Sequence, residues 1–310
     1  MLAAEWYDQE ALLIAYPHAQ SDWAPYLSEA EAFFDEFVSI AARYQPVILI
    51  APEGFAKRFA NTRIVHLPTN DTWARDFGPI TTFSGGKKQL LDFTFNGWGL
   101  KYPANHDNQI NRRLFGTKKL GFVLEGGAIE SDGAGTILTT ASCLLEANRN
   151  PHMDRHEIEA YLLRTLGAKR MIWLENGYLE GDDTNGHIDM LARFIDPHTI
   201  LYVSCDDPAD PHYEPLKKME AELRRTGYRL IPLPWVAPKY FDGQRLPASY
   251  ANFVILNGAV IVPVYGDAND EAAIRLFQRI FGRDIIALNA SVLLRQHGSI
   301  HCSCCNLYKG

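Results

Sequence analysis

Two short stretches of this chain are alike, and they decide which fold the sequence favours. Residues 135–143 read Gly-Thr-Ile-Leu-Thr-Thr-Ala-Ser-Cys, and residues 198–205 read His-Thr-Ile-Leu-Tyr-Val-Ser-Cys. Both contain an apolar, β-branched run of the kind that forms a buried strand. A predicted helix and then a second apolar strand follow each run. The two stretches therefore indicate a repeated strand–helix–strand unit.

The same unit can be traced five times along the chain. Apolar residues at a spacing near 3.6, followed in most cases by glycine, predict helices over about Glu29–Tyr44, Asp107–Phe115, Asp154–Leu166, Glu214–Thr226 and Asp270–Phe281. The predicted strands before them are Ala11–Tyr16, Gln89–Phe93, Thr136–Thr140, Thr199–Val203 and Val260–Val264. The strands after them are Pro46–Ile50, Gly121–Leu124, Met171–Leu174, Arg229–Leu233 and Asp284–Leu288.

Five such units are compatible with two α/β architectures. They can close into a ring, which removes exposed sheet edges, or they can form one ordinary α/β sheet with helices on its faces. A dinucleotide fold is disfavoured, because Gly126-Gly127 lacks the third glycine and the following helix. Without low-complexity segments or a long linker, we expect residues 1–310 to form a single domain.

Composition and charge exclude several classes of partner. The chain of 310 residues is 47% hydrophobic and carries a net charge of -7, with no basic run of the kind that binds nucleic acid. A mildly acidic surface attracts a cationic substrate. No apolar run approaches the roughly 18 residues of a membrane span, and no secretory signal is visible. The odd number of cysteines, five, favours reduced thiols, so we expect a cytoplasmic protein without a membrane partner.

Two polar connections carry candidate functional residues. In the segment 181–189, His187 and Asp189 share one face if the chain is extended, as a general acid/base and its charge partner would; a polar turn is the alternative. In the segment 70–79, Arg75 and Asp76 point oppositely in a strand, so one is free to face a cleft. Trp73 offers a flat wall for a cation, although a surface turn fixed by a buried Trp explains the same residues.

A thiol-rich tail is the third candidate. Cys302 follows His301, and Cys304 and Cys305 come close behind. The cluster is compatible with a nucleophilic thiolate, with a metal site, or with buried thiols that have no chemical role. Zinc sites usually draw paired ligands from two separate segments, and here there is one cluster. Cys143 and Cys205 lie in apolar strands and are interpreted as core residues.

In combination these segments resemble a known family, the agmatine deiminases and their peptidyl-arginine deiminase relatives. The resemblance covers nearly the whole chain and rests on six motifs in the right order. They are the W-x-R-D-x-G-P of Trp73–Pro79, the F-N-x-W-G of Phe95–Gly99, the E-G-G of Glu125–Gly127 with its following strand, the R-N-P of Arg149–Pro151, the G-H-x-D of Gly186–Asp189 and the I-H-C of Ile300–Cys302.

The resemblance implies the pentein fold, a β/α propeller of five ββαβ-type units around a pseudo-fivefold axis with the active site at the centre. It implies Cys302 as the nucleophile, His187 as the general acid/base, and Asp76 and Asp189 as partners of the guanidinium nitrogens. Further substrate contacts are expected from Trp73, Asp182, Asp183 and Glu125. The implied reaction hydrolyses agmatine to N-carbamoylputrescine and ammonia, a step towards putrescine, with no metal or other cofactor. A homodimer is a family expectation.

The nucleophile loop departs from the family pattern. Members often read G-G-N-I-H-C followed by I-T-Q, whereas this chain reads His297-Gly298-Ser299-Ile300-His301-Cys302-Ser303-Cys304-Cys305. The departure affects the loop that shapes the pocket, and with it the choice of substrate. Arginine or peptidyl-arginine therefore stays open as an alternative substrate. A non-catalytic pentein that binds a partner and a metal-binding module centred on the tail are two further alternatives.

Overall fold

The computed structural model describes all residues, 1–310. Its strands are β1 (Gln9–Ala15), β2 (Val47–Ala51), β3 (Thr62–His66), β4 (Ile80–Ser84), β5 (Lys87–Thr94), β6 (Lys119–Val123), β7 (Ile129–Ser131), β8 (Thr136–Thr140), β9 (Arg170–Leu174), β10 (Ala192–Asp196), β11 (Thr199–Val203), β12 (Arg229–Leu233), β13 (Lys239–Phe241), β14 (Gln244–Leu246), β15 (Val254–Ile255), β16 (Ala259–Val264), β17 (Asp284–Asn289) and β18 (Cys304–Tyr308).

The helices are α1 (Leu27–Ala41), α2 (Ala74–Phe77), α3 (Gly97–Leu100), α4 (Ile110–Phe115), α5 (Ala141–Leu144), α6 (Arg155–Leu166), α7 (Tyr213–Arg224), α8 (Asp270–Ile280) and α9 (Ser291–Leu294). Short 3-10 turns lie at Ala24–Tyr26, Asp107–Gln109, Gly126–Ala128 and Ile188–Met190. All five predicted helices are present, with ends that differ from the prediction by at most three residues. None of the helices combines the length and the hydropathy that spanning a lipid bilayer requires.

The strand–helix–strand repeat is confirmed, and each copy has its own sheet. Five helices, α1, α4, α6, α7 and α8, each connect two parallel strands, which are β1 and β2, β5 and β6, β8 and β9, β11 and β12, and β16 and β17. An antiparallel strand lies on the other side of the first strand in every unit. Because the units form five separate sheets, the alternative of one ordinary α/β sheet is wrong.

The two ends of the chain close the first unit. Units two to five take their antiparallel strand from the segment just before, but unit one takes β18 from the end of the chain, pairing Ile14 with Cys304 and Leu12 with Asn306. Residues 304–308 are therefore buried in a sheet, and only Lys309 and Gly310 are exposed beyond it. This pairing also fixes the position of Cys302, a buried residue two positions before β18.

Glycine marks some helix ends as predicted, but not all. Gly167 follows α6 with φ 67°, and Gly116 follows α4 with φ 66°, the left-handed conformation that ends a helix at low cost. Helix α8 instead ends at Ile280 and passes into extended chain at Phe281. Gly282 is not left-handed, so the prediction that it closes this helix is wrong.

Candidate active site

A cavity of about 230 Å³ lies where the predicted motifs meet. Six of the eight predicted site residues line it, and they come from three separate parts of the chain. They are Trp73, Asp76, Asp182, Asp183, His187 and Cys302. The remaining two, Glu125 and Asp189, are buried beside the cavity but do not form its wall. The fold thus brings together residues that are more than 200 positions apart.

Asn252 holds the thiol of Cys302 in place. Its Nδ2 donates to Sγ over 3.2 Å, while its Oδ1 accepts the backbone N–H groups of His301 at 2.8 Å and of Cys302 at 3.2 Å. One amide therefore fixes both the backbone and the sulfur of this segment. Burial raises the pKa of the Cys302 thiol well above its usual range, and the nearby carboxylates of Asp189 and Asp76 raise it further. At neutral pH the group is therefore a thiol, not a thiolate.

Asp76 reaches the cavity from a helical turn, not from the predicted strand. Helix α2 carries it, and the backbone N–H of Arg75 donates to the carbonyl of Cys302 over 3.1 Å, which ties the turn to the nucleophile. The two neighbours nevertheless face different ways, as predicted. Asp76 lines the cavity, whereas Arg75 does not line it and donates a hydrogen bond to Asn306. Burial raises the pKa of Asp76 to about 6.

Gly127 is the point around which three functional side chains converge. A Cβ atom on this residue would lie 2.6 Å from Nδ1 of His187, 2.9 Å from Oδ1 of Asp76 and 3.1 Å from Oδ2 of Asp189. The backbone N–H of Gly127 donates to Asp76 over 3.0 Å, and Nε1 of Trp98 donates to the other oxygen over 2.9 Å. The glycine therefore leaves room for the site and orients one of its carboxylates.

His187 precedes the 3-10 turn Ile188–Met190, so the segment is not extended as predicted. Its ring is buried, and neither ring nitrogen has a hydrogen-bond partner. Nδ1 lies 3.6 Å from Oδ1 of Asp76. Burial lowers the pKa of His187, but Asp76, Cys143 and Glu125 together outweigh burial and hold that pKa well above the usual range. The imidazole is protonated at neutral pH and has protons free to donate.

Asp189 is fully buried directly behind the nucleophile. Its Oδ2 accepts from Nδ1 of His301 at 2.7 Å and lies 3.7 Å from Sγ of Cys302, whereas Oδ1 has no partner. Burial raises the pKa of Asp189, but the hydrogen bond and charge of His301 outweigh burial, so that pKa is lowered. The group is an ionised carboxylate with one free acceptor beside the thiol.

Glu125 was predicted to contact substrate, but the structure places it behind His187. Its two oxygens accept from Nε of Arg149 at 3.1 and 2.9 Å, and both side chains are completely buried. Arg149 also donates to the carbonyl of Thr184 over 2.8 Å. The pair therefore anchors the loop that carries His187 and places a negative charge next to its imidazole.

Acidic side chains surround the outer part of the cavity. Asp182 uses both oxygens within its own loop, accepting from Thr184 and Gly186, whereas Asp183 accepts only from the hydroxyl of Tyr102, at 2.9 Å. Asp71, which the sequence did not single out, also lines the wall, and burial raises its pKa to about 7. Asp22 is a fourth carboxylate there.

The one arginine in the wall does not offset this negative charge. Arg295 donates two hydrogen bonds to Glu29, at 2.9 and 2.7 Å. A guanidinium held by two parallel bonds to a carboxylate is engaged within the protein. The outer cavity therefore offers several carboxylates and no free cation to a ligand.

The other tail thiols do not converge with Cys302. On β18, Sγ of Cys304 lies 3.6 Å from the carbonyl of Ile300, while Sγ of Cys305 lies 3.5 Å from the carbonyl of Pro79. Burial raises their pKa values to about 12 and about 11. The metal site considered for the tail finds no support in this geometry, and these two cysteines pack as core residues.

Four residues that matter at the site were not assigned a role from sequence. Trp98 and Arg149 lie inside motifs that the resemblance rests on, and Asp71 lies beside one, so their position was a signal. Asn252 offers a weaker signal, a single amide within the apolar run of residues 250–256. An unexplained polar residue in such a run is expected to have a buried partner. Here the partner is the nucleophile.

The loop departure noted in the sequence places a histidine in the wall of the cavity. His297 adopts φ 64°, a conformation that favours glycine, and the glycine-rich family pattern supplies one there. Ser299 accepts or donates a 2.8 Å hydrogen bond with the hydroxyl of Tyr265. The loop therefore keeps a backbone conformation that favours glycine at position 297, but it carries His297 and Ser299 where the family pattern has glycine and asparagine.

Comparison with known proteins agrees with this geometry. A family model for the Porphyromonas-type peptidyl-arginine deiminases matches residues 1–307. The agmatine deiminase of Ectopseudomonas mendocina is 32% identical over 97% of this chain and 93% of its own length. A crystal structure of a Cys-to-Ser variant of the C. jejuni agmatine deiminase with substrate bound is 46% identical, covers 100% of this chain and 96% of its own, and has a TM-score of 0.97.

More distant structures share the fold alone. The amidinotransferase that acts on inosamine phosphate in Streptomyces griseus covers 99% of this chain with a TM-score of 0.56 and 13% identity. DDAH from Pseudomonas aeruginosa covers 97% with a TM-score of 0.53 and 12% identity. These matches confirm the predicted pentein fold. On its sequence, its five repeated units and its full-length match, the chain belongs to the family of Porphyromonas-type peptidyl-arginine deiminases.

Proposed function

We propose that the protein is an agmatine deiminase, which hydrolyses the guanidinium group of agmatine to N-carbamoylputrescine and ammonia. One observation carries the proposal. The buried thiol of Cys302, the unpartnered imidazole of His187 and the carboxylate of Asp76 line one cavity together with four carboxylates that are more exposed, and Asp189 lies against the thiol. Agmatine carries a cation at each end, so it suits a cavity with both sets of carboxylates.

Two carboxylates suit the reactive end of the substrate. A guanidinium is planar and donates N–H bonds in fixed directions, which ionised carboxylates accept. Asp76 forms part of the cavity wall, and Oδ1 of Asp189 is a buried acceptor with no partner. A buried acceptor without a hydrogen bond is costly, and a guanidinium N–H removes that cost. Holding the planar group between the two carboxylates brings its carbon to the sulfur.

Binding of the guanidinium also activates the nucleophile. The negative charges of Asp189 and Asp76 oppose ionisation of Cys302. A cation bound between them offsets these charges and favours the thiolate. The thiol proton then leaves to solvent as the substrate binds, so that the reactive form is generated only when there is something to attack.

The bond changes follow from this arrangement. The sulfur of Cys302 attacks the guanidinium carbon and forms a C–S bond. The protonated imidazole of His187 gives its proton to a departing nitrogen, the C–N bond breaks, and ammonia leaves a cationic thiouronium on the enzyme. His187, now neutral, takes a proton from a water that attacks the same carbon. The C–S bond breaks, the hydroxyl proton of the adduct passes to sulfur, and the ureido product leaves.

The outer carboxylates suit the distal ammonium of agmatine. Of the two predicted for this role, Asp183 has one free oxygen, whereas both oxygens of Asp182 already serve its own loop. Asp71 is a further partner, since burial raises its pKa to about 7 with no cation beside it. A bound ammonium compensates such a carboxylate. Trp73 and Trp98 provide apolar walls between the two ends.

Arginine and peptidyl-arginine are the second candidate substrates. Both carry carbonyl or carboxylate groups at the end where agmatine carries an amine. The paired state of Arg295 and the acidic outer wall disfavour a substrate carboxylate at that end. Comparing ammonia release from agmatine, arginine and a peptidyl-arginine decides between them, and we expect agmatine to be preferred.

The test of the mechanism is Cys302→Ser. We expect no ammonia release from agmatine and an unchanged thermal melt, because serine keeps the shape of the side chain. Cys205→Ser is the matched control, since this thiol is also buried but lies outside the cavity. Turnover by Cys302→Ser would exclude the proposal, as would loss of activity in both variants with the fold intact.

Two further expectations belong to the same proposal. The five unpaired thiols favour a reducing compartment, for which we propose the cytoplasm. The resemblance also predicts a homodimer, which sedimentation equilibrium of the purified protein would test.

A further inference from the structure

A chain of buried charged groups runs from the nucleophile to the first residues of the protein. Oδ2 of Asp189 contacts Nδ1 of His301 at 2.7 Å, and Nε2 of His301 contacts Oε2 of Glu5 at 2.9 Å. Arg193 donates to the same oxygen of Glu5 and pairs with Glu130 on its other side. All five side chains are buried. The proposed chemistry uses only Asp189 among them.

The two contacts of His301 require two hydrogen atoms. Each ring nitrogen faces a carboxylate oxygen at hydrogen-bond distance, and each such contact needs a proton between its two atoms. A neutral imidazole has one N–H. Burial and the charges of Arg193 and Arg75 lower the pKa of His301. The two short contacts nevertheless require one proton more, on Asp189, His301 and Glu5 together, than a neutral histidine between two ionised carboxylates would have. This proton allows both carboxylates to be bonded at once without repulsion across the ring.

Glu5 is itself fixed to the segment that holds the nucleophile. Its Oε1 accepts the backbone N–H of Ile255 at 2.7 Å. Arg193, its ion-pair partner, donates to the carbonyls of Ala251 and Phe253 at 3.1 and 2.9 Å, on either side of the residue that cradles the sulfur. The imidazole of His301 therefore contacts a Glu5 side chain that is itself fixed, directly and through Arg193, to the backbone of residues 251–255.

We propose that His301 is a positioning residue for the reaction, one that keeps Asp189 oriented and ionised by bonding one of its oxygens and leaving the other free for the guanidinium. Glu5, which does not line the cavity, bonds the opposite nitrogen of the ring. The inference rests on the proposed function, because it assigns to His301 a supporting role for a carboxylate that the reaction uses.

Two substitutions distinguish the contact made by Nδ1 of His301 from the contact made by Nε2. His301→Asn keeps an N–H group close to the position of Nδ1 and loses the contact with Glu5. His301→Gln keeps one close to Nε2 and loses the contact with Asp189. We expect His301→Gln to lower kcat/KM for agmatine by about 10- to 100-fold, the scale of one hydrogen bond to a charged group. His301→Asn should retain most of the activity.

A pH profile provides a readout that a purely structural role would not move. The bond from His301 lowers the pKa of Asp189, and activity requires that carboxylate to be ionised. In His301→Gln the pKa of Asp189 rises, so the acidic limb of kcat/KM against pH should move to higher pH. Seven charged or titratable groups act on this pair: His187, Arg193, Arg75, Glu5, Glu130, Asp76 and Cys302.

His212→Asn is the matched control for stability. His212 is another buried histidine whose Nδ1 contacts a carboxylate, Asp210, at 2.7 Å, and it does not line the cavity. Both His301 variants should melt no lower than this control. Equal activity in His301→Asn and His301→Gln, whether near wild type or equally reduced, would overturn the inference, as would an unshifted acidic limb.

The two proposals fail in different ways. If wild-type protein releases no ammonia from any guanidine, the proposed function is wrong. If it turns over agmatine and the two His301 variants do not differ, the function stands and only the positioning role is wrong.

Discussion

The substitution Gly298→Ala tests how tightly the nucleophile loop packs on the wall of the cavity. A Cβ atom at this position would lie 2.3 Å from Cζ3 and 2.4 Å from Cη2 of Trp73. The indole ring must move by about 1 Å before this distance reaches the 3.4 Å of ordinary contact. Its movement is restricted by the buried ring of Trp23, whose centroid lies 5.9 Å from that of Trp73. Because Trp73 lines the cavity, a displaced ring changes the shape of the cavity wall.

The magnitude follows from two opposing effects. Overpacking of this kind costs typically ~1–3 kcal/mol, while replacing glycine by alanine stabilises by roughly 0.4–1 kcal/mol through the unfolded chain. We expect a net loss of about 1–2 kcal/mol and a melting temperature lower by a few degrees. A displacement of about 1 Å at an active site can cost on the order of 100-fold in rate, so kcat/KM for agmatine should fall by about 10- to 100-fold.

Gly282→Ala is the matched control. Gly282 also has an ordinary backbone conformation, but a Cβ atom there meets nothing within 4 Å. It shares the entropic gain and lacks the clash, so thermal melting and ammonia release should equal or exceed wild type. Trp73→Phe combined with Gly298→Ala removes the clashing ring edge and should recover stability relative to Gly298→Ala alone. Equal melting temperatures and equal rates for the two alanine variants would refute the packing argument.

Three further predictions concern charge. Alkylation of Cys302 by neutral iodoacetamide, followed by peptide mass spectrometry, should accelerate about tenfold per pH unit from pH 7 to 9 without a plateau. Burial and the charges of Asp189 and Asp76 hold the pKa of this thiol well above its usual range, so the thiolate stays a minor species over this interval. A plateau below pH 8 would contradict this. Asp183→Asn should raise KM for agmatine by about tenfold or more but leave KM for butylguanidine, which lacks the distal amine, unchanged. Asp206→Asn is the control, because Asp206 is exposed and does not line the cavity. An equal rise for both substrates would refute a role at the distal end. Arg149→Met should lower the free energy of unfolding by about 3–5 kcal/mol in denaturant, because it leaves the buried Glu125 without a counter-charge. Adding Glu125→Gln to this variant should restore stability. A decrease under 1 kcal/mol in Arg149→Met would show that the ion pair contributes little.

The repeated unit could be read from the sequence because its signals are local. Apolar periodicity marks α1, α4, α6, α7 and α8 within a few residues, and β-branched runs mark the strands on either side of each. Both features arise because one face of each helix or strand is buried, and the sequence of each segment shows this without reference to the rest of the chain. The left-handed glycine after α6 is equally local. The wrong prediction at Gly282 shows the limit, since α8 ends at Ile280 with extended chain at Phe281 and uses no left-handed glycine.

The chemical types at the site could also be predicted, but the backbone beneath them could not. Asp76 and Asp189 were expected on extended chain and lie in helical turns instead. Both still reach the site, because their turns pack around Gly127, which no local pattern specifies. The position of Glu125 behind His187 also depends on this packing, as does its pairing with Arg149.

By itself the sequence determined the number of units, the order of their elements, and the thiol, imidazole and carboxylates that the family motifs mark. Tertiary structure alone decided what each group contacts. It placed Asn252 against the sulfur, His301 between Asp189 and Glu5, and Asp71 in the outer wall. The physical reason is that hydrogen-bond partners and pKa shifts depend on distances between segments far apart in the chain. Those distances exist only once β18 has paired with β1 and closed the first unit.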